Sequence, residues 1–136
     1  MEDLMIDMLD DNERAVLLFD RITEMSCERI RIAAKAGADI VQFGDDIGMQ
    51  SRPMMSVELW KHWLKPRLAK VISEGKNIKP DILIFYHSCG YVLPFLEDLI
   101  EIGVDILNPV QPESMNFEDV HKLVGGRMSF WSTIGT

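Results

Sequence analysis

The chain has 136 residues, with 14 basic and 22 acidic side chains and a formal charge of −8. That balance disfavours nucleic acid and anionic membranes as partners, because both would repel the surface. Apolar residues make up 47%, which suits one domain with a real core and argues against disorder. No apolar run approaches the roughly 18 residues needed to span a bilayer. The opening MEDLMIDMLDD is acidic where a signal peptide is basic, and two cysteines, Cys27 and Cys89, make no disulfide framework. A cytoplasmic location is the expectation, and in a reducing compartment a cysteine is structural, catalytic or a ligand.

Taken in order, residues 2–13 read as an acidic, solvated face. Residues 12–36 are predicted as a long helix, with Ala15, Leu18, Phe19, Ile22 and Met25 as its apolar stripe and Gly37 as its stop. GADIVQF then supplies a short strand at 39–43, and GDDIGMQSRP a loop. Ser56 is an N-cap candidate for a helix whose stripe is Val57, Trp60, Trp63, Leu64, Leu68, Val71 and Ile72. Pro66 lies inside that stripe and should kink or divide it. A strand ILIFY follows, then HSCG, then a helix carrying Leu93, Leu96, Leu99 and Ile100, with Pro94 confined to its first turn. GVDILNP repeats the pattern of GADIVQF. Asn116 caps a brief helix, Gly125 and Gly126 close it, and MSFWSTIG begins a further strand.

Short, nearly continuously apolar strands alternating with helices imply a parallel sheet covered by helical crossovers, an α/β fold. Two architectures fit, an open doubly wound sheet and a (β/α)8 barrel. No glycine-rich phosphate loop follows any strand, which weakens a nucleotide-binding reading. In both architectures chemistry sits at the C-terminal ends of the strands. Those ends carry Asp45 and Asp46, then His87 and Cys89, then Asn108 and Gln111, then Ser132 and Thr133. Every strand exit is polar, and that is the main argument for a site.

His87 and Cys89 are two residues apart, so an extended backbone points them to one side. Zinc favours nitrogen and thiolate sulfur, at about 2.0–2.1 Å and 2.3 Å. Gly90 lets the chain turn directly after the pair. The alternative is a neutral buried histidine beside a small, inert buried thiol. Two ligands alone do not make a site.

GADIVQFGDDIG, an S-x-E-x-W helix with an internal proline, HSCG and GVDILNPVQP, in that order, resemble the uroporphyrinogen decarboxylase superfamily. The resemblance is closest to its zinc-containing methyltransferase branch, which includes methylcobalamin:coenzyme M methyltransferases, and runs from about Glu13 to Thr136. It implies a (β/α)8 TIM barrel. It also implies an H-x-C pair that binds zinc together with a second, distant cysteine, a thiol substrate activated as thiolate, and a corrinoid (methylcobalamin) as methyl donor. His87 and Cys89 then become metal ligands, with a separate corrinoid protein as the implied partner. The resemblance implies a second ligand cysteine well beyond Thr136; Cys27, in a helix body away from the strand ends, is a poor substitute. A barrel takes about 250 residues and four strands are legible here, so residues 1–136 read as one partial barrel domain of about four βα units, an internal portion of a longer protein.

Asp45, Asp46, Asn108 and Gln111 are the candidate substrate-binding residues, against readings as a solvated loop or capping pair for the aspartates and ordinary turn chemistry for NPVQP. Arg52 reads as an exposed loop residue, Trp60 and Trp63 as helix packing, and His62 and His121 as surface or packing residues. A metal-free decarboxylase of the same superfamily is the rival enzyme, and a non-catalytic binding or assembly module the rival of another class. A four-strand arc has open edges and an uncovered inner face, which predicts association, with a homodimer as one outcome.

Overall fold

The computed structural model describes residues 2–133. Its elements run α1 (Glu2–Leu9), α2 (Glu13–Lys35), β1 (Ile40–Gly44), α3 (Val57–Trp63), α4 (Lys65–Ile78), β2 (Leu83–His87), a single 3-10 turn (Leu93–Phe95), α5 (Leu96–Glu101), β3 (Ile106–Asn108), α6 (Phe117–Val124) and β4 (Ser129–Phe130). Local chemistry sets most boundaries. Asn12 accepts a hydrogen bond from the Arg14 amide at the start of α2, Ser56 from Leu59 at α3, and Asn116 from Glu118 and Asp119 at α6. Pro66 falls in the first turn of α4, so the predicted stripe is divided at Leu64. Pro94 likewise sits in the 3-10 turn that leads into α5.

The strands form one parallel sheet in the order β1-β2-β3-β4. An open doubly wound sheet reverses its strand order at a switch point. Here the order follows the chain without reversal, the arrangement of consecutive strands in a TIM barrel. One face of the sheet is closed by helices. Ile84, Tyr86 and Leu107 point into a core completed by Val71, Ile72, Phe95, Leu96, Leu99, Val120 and Val124. Trp60 and Phe95 meet with ring centroids 5.2 Å apart. The other face is open: Ile40, Leu83 and Trp131 are 47%, 41% and 61% exposed, and the Trp131 ring meets Phe85 edge-on at 6.0 Å.

Three features depart from the sequence reading. The buried side of α2 is Ala15, Thr23, Cys27, Ile30 and Ala34, whereas Leu18, Ile22 and Met25 of the expected stripe are exposed. Close approach to α4 decides the matter: a Cβ on Gly75 would stand 2.5 Å from Ile30 Cδ1, and Arg67 lies over the rings of Phe19 and Trp63. Small residues allow that contact better than a larger apolar count on the adjacent face. The acidic opening segment forms a helix rather than only a solvated face. Met8 is buried against Trp63, whose indole N–H donates to the Met8 carbonyl at 3.0 Å. Finally, β4 spans Ser129–Phe130; Ile134 and Gly135 of the expected strand lie outside the described residues. Among the described residues, no helix is long and apolar enough to cross a membrane.

Candidate metal centre at the strand ends

The sheet register places Gly44, His87 and Asn108 on one rung at the C-terminal rim. Neighbours on one rung of a parallel sheet point to the same side. His87 Nδ1 accordingly meets Asn108 Oδ1 at 2.6 Å. The other end of the Asn108 amide donates from Nδ2 to the Trp131 carbonyl, also at 2.6 Å. Beyond His87 the chain turns: Ser88 N–H donates to the Asn108 carbonyl at 2.9 Å, and the Ser88 hydroxyl accepts from Ile47 N–H at 3.0 Å. That second bond ties the loop after β1 to the loop after β2.

The two loops interlock closely. Cys89 N–H donates to Asp46 Oδ1 at 2.8 Å, and Tyr91 N–H donates to the Met49 carbonyl at 2.7 Å. Gly90 has φ +82°, a left-handed conformation that suits glycine. Its N–H donates to Gln111 Oε1 at 2.6 Å.

These contacts gather three donors. Cys89 Sγ lies 3.6 Å from His87 Nε2, and Asp46 Oδ1 lies 3.8 Å from the same nitrogen. Suitable ligand atoms of Asp46, His87 and Cys89 all fall within 4.8 Å of one another. Nitrogen and sulfur ligands on one tetrahedral zinc stand about 3.5 Å apart, given bond lengths of about 2.0–2.1 Å and 2.3 Å. The observed His87–Cys89 spacing fits that value, and an imidazole, a thiolate and a carboxylate are the ligand types zinc takes. The group is compatible with zinc.

The other candidates are placed differently. Asp45 lines a largely apolar cavity of about 550 Å³ between β1 and the helices, together with Phe19, Trp60, Leu68 and Tyr86. Asp45 is exposed at its outer edge, but partial desolvation against the cavity wall raises its carboxyl above the ordinary carboxylate range, and the adjacent Asp46 charge adds to the effect. Tyr86 donates its hydroxyl to the Asp45 carbonyl at 3.2 Å. Burial, then Asp45 and Asp46, push the Tyr86 phenol up. Asp46 lines this cavity as well, whereas Cys89 and Gln111 line a smaller, more polar one of about 360 Å³ with Gln50 and Glu113. The Asn108 amide is engaged at both ends, which leaves one acceptor lone pair and one N–H hydrogen uncommitted. Ser132 contributes its carbonyl to Val110 N–H at 3.0 Å. Cys27 is buried in α2 among core residues, apart from the donor group.

The sequence reading placed His87 and Cys89 together and gave Asp45 or Asp46 either a substrate contact or a supporting bond to a metal ligand, without naming Asp46 as a ligand itself. Its carboxylate joins the donor group because the loop after β1 folds back over the H-S-C-G turn, a long-range contact with no local signal. Gly48 and Ser88 were not singled out either, although both shape that loop crossing.

The fold is shared with a solved structure, a methyltransferase from Methanosarcina mazei, at 23% sequence identity and a TM-score of 0.76. The match covers 96% of this chain and 37% of that one, so the chain spans well under half of its structural relative. Among curated proteins, none matches. Residues 1–128 match the family described as Uroporphyrinogen decarboxylase (URO-D). With consecutive parallel strands, a polar C-terminal rim and that match over most of its length, the chain belongs to the uroporphyrinogen decarboxylase family.

Proposed function

We propose that this chain carries the metal-binding rim of a zinc-dependent methyltransferase that passes a corrinoid-bound methyl group to a small-molecule thiol. The observation that carries the reading is the convergence of Asp46, His87 and Cys89 within 4.8 Å. His87 and Cys89 would hold the ion, with Asp46 as an oxygen ligand or as the anchor of the Cys89 amide. Bound there, zinc supplies Lewis acidity that lowers the pKa of a thiol. Gln111, which lines the cavity beside Cys89, and the remaining polar atoms of Asn108 would orient the acceptor, with Asp45 bordering the neighbouring cavity that Asp46 also lines. A bound corrinoid would supply the methyl group, and the acceptor would take it as a thiolate, the electron pair of the broken cobalt–carbon bond remaining with the corrinoid. A corrinoid-carrying protein is the partner this reaction requires.

Family membership also favours a second reading, a metal-free decarboxylase. The short coverage of the structural relative favours a third, a binding or assembly module without catalysis of its own. Zinc content separates the first from the second. Purified protein should bind about one zinc, and Cys89→Ser should weaken it strongly, because a hydroxyl is a harder and less acidic ligand. Full zinc occupancy in a His87→Ala, Cys89→Ser double variant would remove the site. Methyl transfer assayed with this chain separates the first reading from the third.

A further inference from the structure

We propose that Asn108 is a positioning residue that fixes which nitrogen of His87 is free to bind a ligand, an inference that rests on the metal reading of His87. The Trp131 carbonyl on the far side of β3 has no hydrogen to give. The Asn108 atom facing it at 2.6 Å must therefore be the amide nitrogen, since a flipped amide would set oxygen against oxygen. That orientation leaves Oδ1 facing His87 Nδ1 at 2.6 Å. An amide oxygen only accepts, so Nδ1 carries the hydrogen. A neutral imidazole has a single N–H, and Nε2 is left with its lone pair exposed. Nε2 is also the nitrogen that stands 3.6 Å from Cys89 Sγ and 3.8 Å from Asp46 Oδ1. The backbone of the segment after β4 thus sets a side chain on β3, which sets the tautomer of a side chain on β2, which aims a lone pair into the donor group. Metal-binding histidines are commonly held through their second nitrogen in this way, and loss of such a partner costs about 10–100-fold in metal affinity.

The test is long-range proton–nitrogen NMR of the metal-free chain with labelled histidine, at a pH well above the ordinary histidine pKa of about 6.5. Three histidines are present, His62, His87 and His121, and His87→Gln identifies the signal. The wild-type chain should show His87 with hydrogen on Nδ1. Asn108→Leu should shift it toward the Nε2–H form and weaken zinc binding about 10–100-fold. Asn108→Asp keeps an acceptor toward His87 Nδ1 and should keep the Nδ1–H form, although its second oxygen loses the bond to the Trp131 carbonyl. An Nε2–H tautomer in the wild type, or an unmoved tautomer in a folded Asn108→Leu variant, overturns the proposal. Should Asn108→Leu not fold, the wild-type spectrum and Asn108→Asp still decide. A tautomer that responds to Asn108→Leu with zinc affinity unchanged by His87→Gln supports the role of Asn108 and removes His87 as a ligand. Undiminished zinc affinity with an unmoved tautomer removes the role of Asn108 alone.

Discussion

A Cβ on Gly48 would stand 2.6 Å from the carbonyl oxygen of Cys89. Real side chains do not approach a backbone that closely, so only glycine allows the loop after β1 to lie on the H-S-C-G turn. Gly90 makes the reciprocal contact, its added Cβ falling 2.5 Å from the Met49 carbonyl. Gly48→Ala should push the loop away and carry Asp46 with it, since that carboxylate is tied to the Cys89 amide. The expected result is a folded protein whose zinc affinity drops by about tenfold or more. Circular dichroism with a zinc titration checks it; a folded Gly48→Ala variant of unchanged affinity would show that loop placement does not matter to the ion.

Asp98 is 6% exposed and held between Lys61 at 3.1 Å and Lys65 at 2.7 Å. Burial works to raise its carboxyl pKa, but hydrogen bonds from Lys65 and Lys61 outweigh it and hold the group below its ordinary value. A carboxyl whose folded pKa is depressed stabilises fully above the unfolded value of about 3.9 and loses that contribution as pH falls through the folded one. Asp98→Asn should therefore cost about 1–3 kcal/mol near neutral pH, and its deficit against the wild type should narrow in acid. Urea unfolding of both proteins at neutral and acid pH measures the gap. A deficit that did not change with pH would show that charge is not what Asp98 contributes.

The open face of the sheet sets a third expectation. Ile40, Leu83 and Trp131 lie exposed there, and the outer edges of β1 and β4 have no strand partner among the described residues. Unpaired edges and broad apolar faces promote association. The isolated 136-residue chain should sediment as a dimer or larger species, and Leu83→Lys should reduce the association. A compact, cooperatively unfolding monomer at micromolar concentration would falsify this expectation.

The order of strands and helices was legible because alternating apolar runs, caps and prolines act locally. Asn12, Ser56, Asn116 and Pro66 behave as their types predict. The polar strand exits were equally legible, since barrel geometry sends them all to one rim. What escaped the sequence depends on contacts between distant segments. Met8 gains its burial from Trp63, Thr23 shares the buried side of α2 with smaller neighbours, and Asp46 reaches Cys89 only because Gly48 has no side chain. Each is decided by what lies opposite, and hydrophobic periodicity carries no information about that.

The register of β3 against β4 pairs Ile106 with Ser129 and Leu107 with Phe130, and the next residue, Trp131, offers the carbonyl that orients Asn108. This makes tolerance to insertion uneven along the chain. An extra residue in the turn at Glu113–Ser114 lengthens a surface connection and leaves the pairing intact. One placed between Met128 and Trp131 reverses which side chains face inward from that point on and withdraws the carbonyl. Length variation among natural relatives should then collect in the first segment and avoid the second, even though neither would hold a metal ligand.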